Sequence, residues 1–206
     1  MNQARAGAET VPDERLLADF LAGDDKAFAA LVERYSQELY QFVARFVQGG
    51  ATAEDVVQET FVQVYQSAAG FDPSRRLRPW VFTIAANKAR DFLRSRGRKR
   101  EVPLTTGSSS DSSEEVSYLD FLSDASMAPS EALEADECRE VVRGIVSKMP
   151  DHLREVLVLG YYQHLPYKEI AEVLSIPLGT VKSRLHAAVS HFAETYKREE
   201  EKRYGG

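Results

Sequence analysis

Apolar side chains recur every three or four positions along most of this chain, the spacing of helices with one buried face. The longest run is Phe28, Leu31, Val32, Tyr35, Leu39, Phe42, Val43 and Phe46. A shorter helix precedes it, with Leu16, Leu17, Phe20 and Leu21 on one face. Asp13 can cap that first helix, and Gly23 can end it. Asp24 can start the long helix, and Gly49 with Gly50 can stop it. Thr52 and Asp55 have capping-box spacing, with Asp in place of the usual Glu or Gln. They predict a third helix carrying Val57, Phe61, Val64 and Ala68 and ending near Gly70. Pro79 suits the first turn of a fourth helix reaching about Arg98. A fifth helix is predicted over 130–148, using Leu133, Val141, Val142, Ile145 and Met149. Pro150 and Asp151 break and recap the chain before a helix with Leu153, Val156, Leu157 and Leu159. Leu165 and Pro166 then turn it into two final helices. No strand-like alternation interrupts this pattern, so the expected fold class is all-α.

The pattern also divides the chain. Residues 101–129 are acidic and Ser-rich, with a small apolar island at Tyr118, Leu119, Phe121 and Leu122, and read as a flexible linker. Fully extended, these 29 residues span roughly 95 Å, enough to hold two domains on distant sites. The expected organisation is a disordered segment 1–12, a helical domain 13–100, the linker 101–129, a second helical domain 130–197, and a tail 198–206.

Charge sharpens this division. The whole chain carries a formal net charge of -6. Residues 75–100 alone hold ten basic side chains and one acid, whereas residues 101–140 hold eleven acids and one base. Binding depends on the local field at a surface, so the basic stretch matters more than the total. The single Cys138 excludes an intramolecular disulfide framework. No apolar run approaches the roughly 20 residues of a membrane span, and residues 1–14 lack the apolar core of a signal peptide. A cytoplasmic protein without membrane insertion is expected.

Two stretches carry candidate chemistry. In 171–186, Ile170, Leu174, Ile176, Val181 and Leu185 supply packing positions, Ala171 a close crossing, and Pro177 with Gly179 the break between helices. This is the layout of a helix-turn-helix, whose second helix enters the major groove by its N-terminal part. Here that part offers Thr180, Lys182, Ser183, Arg184 and His186. Arg can read guanine bidentately, while Lys and Ser more often hold phosphates. The second stretch, 71–100, mixes arginine with aromatic residues, a combination that binds single strands. Trp80, Phe82, Ile84, Ala85, Ala89, Phe92 and Leu93 fall on core spacing. Arg75, Arg76, Arg78, Asn87, Lys88, Arg90 and Arg94 are candidate contacts.

Taken in order, these motifs resemble the extracytoplasmic-function branch of the sigma-70 family, over about residues 14–100 and 130–196. The resemblance rests on Asp55 to Thr60, on Phe71 and Asp72 followed by 79–94, on 149–159 with 167–174, and on 176–188. It implies that Asp55, Gln58, Glu59 and Val62 dock on the clamp helices of core RNA polymerase. It implies that Arg75, Arg76, Arg78, Asn87, Lys88, Arg90 and Arg94 engage the minus-ten element and hold an unstacked base of the opened strand. It implies that Thr180, Lys182, Ser183, Arg184 and His186 contact the minus-thirty-five duplex. Core polymerase and promoter DNA are the implied partners, and an anti-sigma factor is a further one that the family admits. The acidic linker would thread toward the polymerase's RNA path, although it is longer and more Ser-rich than the family pattern.

Two other classes compete with this reading. An enzyme lacks support: His152, His164, His186 and His191 have no zinc-ligand spacing, and no phosphate-binding glycine loop or nucleophile elbow is present. Neither cofactor nor metal is expected. A free-standing helix-turn-helix regulator would explain the carboxy-terminal motif but leave 71–100 without a use.

Overall fold

The computed structural model describes residues 11–47, 49–100 and 129–204. The elements are α1 (Asp13–Leu21), α2 (Asp25–Val47), α3 (Gly50–Ser67), a short 3-10 turn (Ala68–Gly70) and α4 (Leu77–Arg100). They continue with α5 (Pro129–Lys148), α6 (Asp151–Leu157), a wide π-type turn (Val158–Tyr162), α7 (Tyr167–Leu174) and α8 (Leu178–Tyr204). Every regular element among the described residues is helical, as the apolar spacing predicts. Residues 101–128, including the apolar island at Tyr118, Leu119, Phe121 and Leu122, and the first ten residues lie outside the described residues, and Pro129, expected in the linker, opens α5.

The long helix α2 is the axis of the first unit. Leu39, Phe42 and Val43 are fully buried, with α1, α3 and α4 packed around the helix. The Phe42 ring lies 6.2 Å from Phe46 and 5.6 Å from Phe82 of α4. Trp80 is only partly buried, against Phe71 at 5.0 Å.

Several helix ends differ from the sequence expectation. Asp13 does not cap α1; it is the first helical residue, behind Pro12. Its carboxylate instead accepts bonds from Arg34 and the Tyr35 hydroxyl of α2, pinning α1 across the bundle. Burial, and then this bond to Asp13, push the Tyr35 phenol well above its ordinary pKa. Thr52 does not cap α3 either: that helix starts earlier, behind an extended Gly49. Asp24 does act as expected, its carboxylate accepting from the Lys26 N–H at 3.0 Å. The start of α4 is held from a distance, since Glu14 accepts from the Leu77 N–H at 2.9 Å.

The second unit is built on α6, α7 and α8, with α5 against α8. Val146, Met149, Leu153, Leu157 and Ala188 form a small cluster, with Val142 and Phe192 at its edge. The segment expected to be a tail continues α8 as helix through Tyr204. The break between α7 and α8 is a left-handed cap. Ser175 has φ 53° and ψ 45°. Its N–H donates to the Glu172 carbonyl at 3.1 Å, and the Ile176 N–H to Ala171 at 3.0 Å, the paired bonds of a Schellman end. Glycine adopts this backbone without the Cβ penalty. Ser175→Gly is therefore expected to stabilise the protein by about 0.5–1 kcal/mol, the unfolded-state entropy of glycine offsetting part of the gain; a denaturant midpoint that falls would contradict this.

The two units are not held apart. One buried apolar cluster runs from Leu31, Phe42 and Phe82 into Val158, Leu165 and Ile170, with α7 packed on α4 and the π-type turn on α2. A tether that can span a long distance can equally let its ends meet, so the sequence pattern did not distinguish these arrangements.

Candidate nucleic-acid interface

Three polar surfaces emerge from this scaffold. The first is on α3, where Val56, Val57, Thr60 and Val64 face the core. Asp55, Gln58, Glu59 and Val62 are therefore turned outward and exposed. With Gln63, Gln66 and Lys88 they line a shallow open depression. Val62 is 56% exposed, an apolar side chain left uncovered among polar ones. Lys88, grouped by sequence with the arginines, belongs beside this surface, where its ammonium lies 3.5 Å from the Glu59 carboxylate.

The second surface is the loop before α4 and the start of that helix. Asp72 organises the loop. Its carboxylate accepts from the Ser74 N–H at 2.9 Å and the Ser74 hydroxyl at 2.8 Å. These two donors, in that order, hold its carboxyl below the usual range, and Arg75 adds a smaller pull. The turn they close presents Arg75 and Arg76 to solvent. Arg78 is half-buried, its guanidinium 5.3 Å over the Phe82 ring and bound to Glu38 at 2.9 and 3.1 Å. Farther along α4, Asn87 accepts from Arg90 at 3.2 Å, and Arg94 pairs with Asp91 at 3.1 Å. The seven candidates thus do not form one patch. Arg75, Arg76 and Arg78 cluster at the start of α4, Lys88 faces α3, and Arg90 turns toward α6.

The third surface is the first two turns of α8. Val181, Leu185 and Ala188 are buried, which fixes the rotation of the helix. Lys182, Ser183 and His186 are then exposed, and Thr180 and Arg184 partly so. The Ser183 hydroxyl donates back to the Thr180 carbonyl at 3.1 Å. The five residues predicted from the motif share one outward face, the geometry needed to enter a groove.

Sequence reasoning missed a set of carboxylates. Glu169 binds Arg76 at 2.9 Å across 93 residues of chain, and Glu155 grips Arg90 with both oxygens. Neither contact carries a local signal, because it depends on how the two units pack. Arg154 was also missed. Its side chain is 3% exposed, donates to the Ser147 carbonyl at 2.9 Å and lies over the Phe46 ring at 5.5 Å. Burial lowers its pKa, with Asp151 and then Glu155 opposing the shift.

Both units match known proteins. The family model described as Sigma-70 region 2 matches residues 31–99, and that described as Sigma-70, region 4, matches residues 139–192. The RNA polymerase sigma-H factor of Pseudomonas aeruginosa is 31% identical over 176 residues, 85% of this chain and 89% of that protein. The ECF RNA polymerase sigma factor SigW of Bacillus subtilis is 33% identical over 168 residues, 80% of this chain and 86% of that protein. Among solved structures, CnrH in complex with the cytosolic domain of CnrY matches with a TM-score of 0.63 at 25% identity, covering 90% of this chain and 97% of that one.

Proposed function

The chain belongs to the extracytoplasmic-function branch of the sigma-70 family, and from that premise we propose how its three surfaces divide the work of an RNA polymerase sigma factor. The exposed face of α3, with Asp55, Gln58, Glu59 and Val62, docks on core polymerase. Arg75, Arg76 and Arg78, with Asn87, Arg90 and Arg94 along α4, engage the minus-ten element and its opened strand, while Lys88 borders the α3 face. Thr180, Lys182, Ser183, Arg184 and His186 contact the minus-thirty-five duplex. The protein acts in the cytoplasm, where the polymerase is, and contributes specificity rather than turnover. Among the described residues, no helix is long and apolar enough to cross a membrane.

The observation that carries this reading is the order of the two matched regions on one chain. A free-standing helix-turn-helix regulator would use 139–192 and leave the match over 31–99 without a role. The two readings separate in a binding experiment. With purified protein alone, association with promoter duplex should be weak and fall steeply as salt is raised. Adding core polymerase should produce a promoter-selective complex. Tight, sequence-specific binding of duplex by the protein alone would overturn the assignment.

A further inference from the structure

The residues before α4 are a poor source of a helix cap. Arg76 stands directly before the helix, and a guanidinium has no acceptor. Asp72 and Ser74 face each other instead, with the Ser74 N–H and hydroxyl both donating to the Asp72 carboxylate. The acceptor comes from α1. The Glu14 carboxylate takes the Leu77 N–H at 2.9 Å across 63 residues of chain. It also sets a negative charge at the positive end of the helix dipole. Glu14 is itself well held. Asp13 beside it binds Arg34 and the Tyr35 hydroxyl, the Val11 carbonyl accepts from Arg34 at 2.9 Å, and Leu16 and Leu17 are buried. Helix α1 is thus a clip between α2 and the end of α4. The match to region 2 starts at residue 31, so this clip lies outside it.

Arg75 and Arg76 stand between two fixed points. Upstream, the Arg75 N–H donates to the Asp72 carbonyl at 3.0 Å and closes the turn. Downstream, Leu77 is fully buried and bound to Glu14. The two arginine side chains are 60% and 79% exposed, and ion pairs that exposed hold a side chain only weakly. The backbone on either side therefore sets where the two guanidinium groups stand. We propose that Glu14 is a positioning residue for the minus-ten strand: by capping α4 it fixes the direction in which Arg75 and Arg76 meet the nucleic acid. This proposal rests on the sigma-factor reading above. Capping and charge make opposite demands on Glu14. A carboxylate beside a nucleic-acid surface repels phosphate, so charge alone predicts that its removal strengthens binding. If the cap is what matters, removal weakens it, and a neutral side chain that keeps an acceptor oxygen restores it.

The test uses the full-length chain with core polymerase, on a genomic fragment that the parent holoenzyme selects. Permanganate reactivity of unpaired thymines reads strand opening, and protection of the upstream duplex reads the α8 contact. A helix cap is commonly worth about fivefold in the equilibrium it holds. Glu14→Ala should therefore lower opening about fivefold, with upstream protection and affinity for core polymerase changed by less than about twofold. Glu14→Gln should open the fragment at least as well as the parent. Arg15→Ala, which removes only the exposed pair with Asp19 on the same helix, should leave opening unchanged. Amide hydrogen exchange in the free protein gives a second readout. The Leu77 N–H should exchange about fivefold faster in Glu14→Ala and at nearly the parent rate in Glu14→Gln. Opening that is unchanged or increased in Glu14→Ala, a glutamine variant as defective as the alanine one, or upstream protection that falls in step with opening overturns the proposal. If the parent selects no fragment, the sigma-factor reading has failed and the proposal with it. If the parent opens its fragment and Glu14→Ala opens it equally, the positioning role alone has failed.

Discussion

Phe42→Ala will cost about 3–5 kcal/mol of stability, the range for removing a fully buried aromatic side chain. Phe42 is 0% exposed, and its ring meets Phe46 of its own helix and Phe82 of α4. The loss combines transfer of the ring to water with the cavity left between two helices that cannot both collapse on it. Small domains are stable by only about 5–15 kcal/mol, so this variant sits near its unfolding threshold at physiological temperature. Phe42→Leu keeps most of the volume and should cost less than about 1.5 kcal/mol. Denaturant unfolding followed by circular dichroism measures both. A loss below about 1 kcal/mol for the alanine variant would mean that the α2–α4 contact is not the centre of the fold.

The second large effect separates the surface proposed for DNA from the surface proposed for core polymerase. Arg184→Ala should reduce recognition of the upstream duplex by the holoenzyme about tenfold to a hundredfold, the value of one bidentate base contact, and leave affinity for core polymerase unchanged. Arg184→Lys should not restore it, because a point charge lacks the planar fork. Asp55→Ala should do the reverse, weakening core binding while the α8 face remains intact. Asp55 is exposed on α3 and Arg184 projects from α8, so neither substitution disturbs the other site through the core. Titration of labelled protein with core polymerase, followed by footprinting of the upstream element, distinguishes the two. Both defects appearing in either variant would show that the surfaces are wrongly assigned.

What the amino-acid pattern disclosed follows from what is local. Periodicity marked the helices, because a buried face repeats every turn, and Val181 with Leu185 already implied which face of α8 looks outward. Thr180, Lys182, Ser183, Arg184 and His186 lie outside that buried stripe for the same reason. Helix ends were less legible where a competing partner was distant. Asp13 looks like a cap, yet Arg34 and Tyr35 claim its carboxylate. The left-handed Ser175 gave no glycine to mark the end of α7. The basic stretch on α4 read as one patch because charge was counted along the chain. On the folded helix, Lys88 and Arg90 point to different neighbours, Glu59 and Glu155. The packing of the two units was not legible at all, since every contact that makes it crosses the linker.

This chain gives core polymerase its choice of promoter. The direct measurement combines purified core polymerase with the protein on a pool of linear genomic fragments and sequences the 5′ ends of the transcripts. Start sites should gather at a fixed distance downstream of one shared pair of sequence elements and vanish when the protein is omitted. A distribution of starts indistinguishable from that of core polymerase alone would contradict it.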